Sequence, residues 1–299
     1  MIVDFHTHTS PDRIADAAVR KLSQTSHTVP FTDGTDSGLV RSMQAAGVDR
    51  AVILSVATAP GQVISINDSA ERRMERRAGL GLAAFGAMHP DFDGYRSELA
   101  RIREMGMRGI KLHPVYQGAD LDDRRMLRIY DRCAELGLMV IVHGGLDIGC
   151  LGVNRCSPLM ALHALRELAC GRTGEEAGEG SRFRFILAHM GGWRQWDLAL
   201  RISQELLEAG PLMLDTAFSC GAFRPIPGET YWTEEDTKML SRERFLELVR
   251  AFGPERILFG SDSPWSDQSE SLEWIRSLPL PDEDLERILG GNAARLLDC

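Results

Sequence analysis

The sequence predicts a single (β/α)8 barrel, and three observations predict it. Eight short apolar runs of strand character recur along the 299 residues, with helical patterns between most of them. Several runs are apolar throughout rather than alternating, as in Ala51-Val52-Ile53-Leu54 and Met139-Val140-Ile141-Val142. Burial on both faces is what a parallel sheet wrapped in helices requires. Six of the eight histidines close such runs (His6, His8, His89, His113, His143 and His189). A barrel assembles its active site at the carboxyl ends of its strands, which gives that placement a shared cause.

The elements follow in order. The first run, 2–8, ends in His6 and His8, two apart and so on one face. Residues 9–37 are rich in Thr, Ser, Asp, Pro and Gly, which predicts a long irregular loop over the catalytic face, acting as a lid. Strands are expected at 51–57, 82–88, 109–114, 139–143, 184–189, 212–218 and 256–261. Gly47, Gly79, Gly106, Gly137, Gly210 and Gly253 stand where a helix gives way to the next strand, a position that suits the left-handed conformation. Asp93, Asp122-Asp123 and Ser157-Pro158 mark helix starts. Residues 171–182, dense in Gly and Glu, read as a surface loop on the opposite face. No Gly-x-Gly-x-x-Gly turn follows the first strand, which disfavours an open doubly wound sheet. One domain over 1–299 is expected.

Hydrophobic content of 43% and charged content of 26% describe an ordinary soluble globular chain. A net charge of −9 argues against a nucleic-acid surface. The densest basic stretch, Glu71 to Arg77, alternates with acids at helical spacing and reads as a solvated helix face. No apolar run is long enough to cross a bilayer, and Met1 leads straight into the first strand, which reads as no signal peptide. The six cysteines form no Cys-x-x-Cys pair and read as reduced thiols. A cytoplasmic protein with no membrane or nucleic-acid partner is expected; homo-oligomerisation is left open.

The chemistry rests on a few residues. His6 and His8 after strand one, His143 closing strand five, and Asp262 after Ile257-Leu258-Phe259-Gly260-Ser261 supply three imidazoles and one carboxylate. That set suits Zn²⁺ or a similar divalent ion such as Mn²⁺, with a further position for water.

Asp4-Phe5-His6-Thr7-His8, His143-Gly144-Gly145, His189-Met190-Gly191-Gly192, Gly260-Ser261-Asp262 and Gly291-Asn292-Ala293-Ala294-Arg295-Leu296 together resemble the amidohydrolase superfamily. Within it the chain is similar to the amidohydrolase-related branch, which also holds aminocarboxymuconate semialdehyde decarboxylase. The resemblance runs from residue 2 to about 297. It implies His6, His8, His143 and Asp262 as metal ligands and His189 as a catalytic histidine. Many superfamily members carry a lysine carbamate or glutamate on strand four that bridges two metals. Lys111 stands there as a candidate bridge, against a plain lysine paired with a buried carboxylate such as Asp4; one ion is expected rather than two. His113 shares a face with Lys111 and is expected to contact substrate, against a core histidine bonded to backbone.

Tyr116, Trp193, Arg194 and Trp265 are placed to line the mouth as substrate contacts. Arg194 would grip a carboxylate, against pairing with Asp197. The first function expected is hydrolysis of a small amide, lactone or cyclic carbonyl compound, with Asp262 or His189 as general base toward a metal-activated water. The alternative is non-oxidative decarboxylation of a small unsaturated or aromatic acid. Both use the same ligands, so these motifs do not separate them.

Overall fold

The computed structural model describes residues 1–76, 79–170 and 183–298. Eight strands run through it: β1 (Val3–Thr7), β2 (Arg50–Leu54), β3 (Leu82–Ala87), β4 (Gly109–Leu112), β5 (Met139–Val142), β6 (Phe185–Leu187), β7 (Leu212–Asp215) and β8 (Ile257–Leu258). Neighbours in sequence pair in parallel, in the order β1 to β8. The barrel closes where Phe5 N donates to Phe259 O at 2.8 Å and Asp262 N donates to His6 O at 2.8 Å. This is the (β/α)8 barrel that the sequence predicts, with every strand at its expected run and β2 starting one residue early, at Arg50.

The apolar strands are explained by two separate cores. Val3, Phe5, Val52, Leu54, Ile141 and Ile186 belong to a cluster inside the barrel. Ile53, Ile110, Leu112, Val140 and Leu187 face the helices outside. Successive residues of one strand thus serve opposite faces, and neither face can be polar. Several runs extend past their strands because the chain turns there. His189 (φ 62), Met190 (φ 52) and Asp262 (φ 72) adopt the left-handed conformation that side-chain-bearing residues avoid. Such backbone concentrates at functional sites.

The connection after β1 is long, as expected, but it is not irregular throughout. A 15-residue helix spans Asp12–Ser26, entered from Pro11 and closed by His27 at φ 56. Its fully buried residues are only Ala15 and Ser26, and Ile14 and Leu22 of its apolar stripe remain exposed. It belongs to the mouth: Val29 N donates to Arg224 O at 2.9 Å, Ile226 N to His27 O at 3.1 Å, and Trp232 Nε1 to Ser26 O at 2.8 Å. These bonds pin it to the segment after β7.

The basic stretch on the helix Val63–Arg76 is only partly a solvated face. Arg73 Nε donates to Asp36 at 2.9 Å, with the two side chains 16% and 6% exposed. A second bond runs from the same guanidinium to Thr9. Pairing lets that arginine turn inward. The expected loop at 171–182 lies outside the described residues. Among the described residues no helix is long and apolar enough to cross a membrane.

Candidate metal centre and active site

The first donor set comes from β1 and the turn after β8. His6 Nδ1 lies 2.8 Å from Asp215 Oδ2, and His8 Nδ1 lies 2.7 Å from Leu54 O. Both partners only accept, so each neutral ring carries its hydrogen on Nδ1 and presents a lone pair at Nε2. Those two Nε2 atoms are 3.2 Å apart. Asp262 Oδ1 stands 3.0 Å from His8 Nε2 and 3.4 Å from His6 Nε2. Three acceptors converge with no hydrogen between them.

Such a triangle suits a cation. Ligands held at about 2.0–2.1 Å from one ion are separated by about 2.9 Å in octahedral and about 3.4 Å in tetrahedral geometry. The three edges fall in that range, and two imidazoles with one carboxylate suit zinc or manganese. A proton is a poor substitute at His6, because burial pushes its pKa well below the ordinary value.

Lys111 reaches the same place. Its Nζ is 3.1 Å from His6 Nε2 and its residue is 1% exposed. Burial lowers its pKa to about 8, against the charges of Asp215 and Asp262. Asp4 is not its partner. Asp4 accepts from Ser261 N at 2.9 Å, Ser261 Oγ at 2.5 Å, Gln268 Nε2 at 2.7 Å and His6 N at 3.2 Å, which ties β1 to the turn that carries Asp262. Gly260 belongs to the same seam, since a Cβ there would lie 2.8 Å from His6 Cβ.

His189 and His143 form a second pair. His189 Nδ1 donates to Ala217 O at 2.8 Å, so its Nε2 is an acceptor. That Nε2 is 2.9 Å from His143 Nδ1, while His143 Nε2 is 3.1 Å from Leu146 O. If His143 carries hydrogen on Nδ1, its Nε2 faces a carbonyl bare. If it carries hydrogen on Nε2, two lone pairs meet between the rings. An added proton or another cation would satisfy every contact, and burial, which lowers the pKa of both rings, works against the proton.

His143, expected to join His6, His8 and Asp262, has donor atoms grouped with those of His113 and Asp147. Its ring stacks 4.1 Å from that of His113, which stacks 3.9 Å from Tyr116 on the other face. His113 Nε2 is 3.5 Å from Asp147 Oδ2, Tyr116 bonds to Asp147, and His113 Nδ1 is buried without a partner. His113 is therefore beside the centre and is not bonded to backbone through its ring.

Arg194 has other company than expected. Its guanidinium donates to Asp236 O and lies 4.7 Å from the Trp193 ring and 5.9 Å from the Trp232 ring. Asp197 pairs with Arg244 instead, at 3.0 Å. Trp193 is buried among Phe218, Phe223, Trp232 and Met239, a small core against which Trp265 also packs. Trp265 N donates to Asp262 O at 2.8 Å. These aromatic residues brace the loops of the mouth.

Sequence reasoning missed Asp215 and Asp147. Asp215 had a signal: it ends the apolar run Leu212-Met213-Leu214 on β7, where other strands end in histidine. Asp147 had none, because its place depends on how the loop after β5 folds.

A profile of the amidohydrolase family matches residues 3–299. Among solved structures, the chain is similar to 5-carboxyvanillate decarboxylase LigW from Sphingomonas paucimobilis, with 16% identity, a TM-score of 0.68 and coverage of 99% of this chain and 98% of that one. It is similar to 2,6-dihydroxybenzoate decarboxylase from Rhizobium, with 14% identity, a TM-score of 0.67 and the same coverages, 99% and 98%. An uncharacterized TIM-barrel protein, Bb4693 from Bordetella bronchiseptica, has 17% identity and a TM-score of 0.71 over 99% of this chain and 98% of its own. No curated protein matches the sequence. The chain belongs to the amidohydrolase family.

Proposed function

We propose that this member of the amidohydrolase family is a metal-dependent carboxy-lyase that removes carbon dioxide from a small aromatic or unsaturated acid. The convergence of His6 Nε2, His8 Nε2 and Asp262 Oδ1 without a hydrogen among them carries the reading. Decarboxylases are prominent among the similar structures, and a related dihydroxybenzoic acid decarboxylase was crystallised with manganese. We favour one ion on that triangle, zinc or manganese. His143 is the fourth ligand implied by the resemblance; its Nδ1 faces His189 Nε2 and its Nε2 faces Leu146 O.

When bound, the ion would supply positive charge to hold an anionic substrate and draw electron density from it. The rest falls to the chain. Lys111 is the buried amine nearest the triangle, 3.1 Å from His6 Nε2. The C–C bond to the carboxylate breaks, and its electron pair stays on the ring or vinyl carbon. His189 Nε2, 2.9 Å from His143 Nδ1, is the proposed carrier of the proton that goes to the same carbon. Protonation of that nitrogen from solvent then restores it. His113 and Tyr116 form the proposed substrate wall, with Trp193, Trp265 and Arg194 bracing the loops behind it. An acidic, small-molecule enzyme of the cytoplasm, without a nucleic-acid partner, fits the same reading.

Hydrolysis of a small amide, lactone or cyclic carbonyl compound is the second reading, favoured by the family's own name and served by the same donors. A panel of hydroxybenzoates, enoic acids, lactones and amides, scored separately for carbon dioxide release and ring or bond hydrolysis with Mn²⁺ or Zn²⁺ present, separates the two. Carbon dioxide release from the acids is expected. Hydrolysis without it would move the assignment to the second reading.

A further inference from the structure

β7 contributes no donor to the triangle, yet its end touches both histidines that matter most. Asp215 is fully buried. Its Oδ2 meets His6 Nδ1 at 2.8 Å, and its Oδ1 accepts from His189 N at 2.9 Å and Ala217 N at 3.2 Å. Two residues on, Ala217 O accepts the His189 Nδ1 hydrogen at 2.8 Å. A buried carboxylate is costly unless its oxygens are filled. Here every contact is to a group whose orientation decides whether the centre can bind and react.

We propose that Asp215 is the positioning residue of the centre. It fixes the His6 hydrogen on Nδ1, so that Nε2 stays bare toward the ion. Through its second oxygen and the Ala217 carbonyl, the same strand end fixes the backbone and tautomer of His189. One three-residue segment, Asp215-Thr216-Ala217, sets the proton positions of both rings. The proposal rests on His6 being a ligand.

Asp215→Asn is the informative change because it is nearly isosteric. With the amide oxygen kept on the two backbone N–H groups, the amide nitrogen faces His6 Nδ1 and donates to it. The His6 hydrogen is then driven onto Nε2, the atom the ion needs. A strut with no bearing on tautomer would change stability and leave the ion's affinity alone. Loss of a carboxylate behind a metal-ligating histidine weakens binding by about 10–100-fold.

The test measures Zn²⁺ and Mn²⁺ affinity by competition with a chelating dye for the wild type, Asp215→Asn and His6→Ala, alongside thermal unfolding of each without metal. Nitrogen-15 spectra of the histidine side chains in the metal-free wild type report the tautomer directly. The expected result is a His6 Nδ1–H signal in the wild type and a loss of about 10–100-fold in affinity for a still folded Asp215→Asn. Unchanged affinity in Asp215→Asn, with metal lost in His6→Ala, overturns the role of Asp215 and leaves the centre standing. Unchanged affinity in His6→Ala overturns both. Should Asp215→Asn fail to fold, the wild-type spectrum still decides, because a His6 hydrogen on Nε2 overturns the proposal.

Discussion

Lys111 Nζ stands 3.1 Å from His6 Nε2, the one ring nitrogen of His6 that Asp215 leaves bare. An ammonium there donates to the lone pair that a divalent ion would use, and it also repels that ion. Burial lowers the lysine pKa to about 8, so its charged form predominates below that pH and gives way above it. Affinity for Mn²⁺ or Zn²⁺ should therefore rise as pH rises through about 8, beyond the change that free imidazoles give near neutrality. Lys111→Met should flatten that upper rise. Chelator competition at pH 7 and pH 9 on both proteins checks it, and an identical pH dependence would count against the contact.

His8→Ala and Asp262→Ala should each lose the ion, whereas His189→Ala should keep it and lose turnover. The first two remove corners of the triangle; the third removes a proton carrier bonded to Ala217 and His143. Elemental analysis beside a turnover assay makes the comparison. Loss of metal in His189→Ala would place that residue in the coordination shell.

Arg194→Met should leave kcat/KM for an anionic substrate within about twofold and loosen the segment after β7. Its guanidinium is held by Asp236 O and two indoles, a contact worth about 0.5–1 kcal/mol. A bond to a substrate carboxylate would be worth about 1.5–3 kcal/mol, or roughly ten- to hundredfold in kcat/KM. Kinetics on the first active substrate choose between these magnitudes.

The thiols of Cys133 and Cys156 should resist maleimide in the native protein at pH 8. Burial pushes both pKa values up, and Cys156 Sγ already donates to Gly145 O at 3.1 Å. Peptide mapping should find both labelled only after denaturant is added. Rapid labelling of Cys133 without denaturant would contradict the packing of the helix Arg124–Leu136, which buries it.

The barrel was legible because its evidence is periodic. Ile53 and Leu54, or Ile141 and Val142, must both be apolar when a sheet is covered on each face, and the sequence displays that without reference to distant residues. His6, His8 and Asp262 were legible because strand ends converge. The places of His143 and Arg194 were not. Each depends on a connection between barrel elements, Leu146 and Asp147 after β5 for the first and Asp236 in the short helix Glu234–Thr237 after β7 for the second, and the paths of such connections follow from tertiary contacts rather than local pattern. The helix Asp12–Ser26 escaped because the Thr, Ser, Asp, Pro and Gly on either side of it, within 9–37, mask the helical spacing of Ile14, Ala18 and Leu22.

The seam between β8 and β1 also sets the order in which the molecule can be made. His6 and His8 emerge early in synthesis and Asp262 late, and the three meet only when Phe5 N finds Phe259 O. Contacts so distant along the chain form slowly and after local ones. An incomplete chain therefore has no triangle to offer, and capture of the ion should wait for the last strand to dock. Once bound, the ion would draw the population toward the closed barrel by mass action, by about 2.7 kcal/mol at a hundredfold excess over Kd. Its arrival would mark the end of assembly, and its removal should lower the barrier to opening at that seam first.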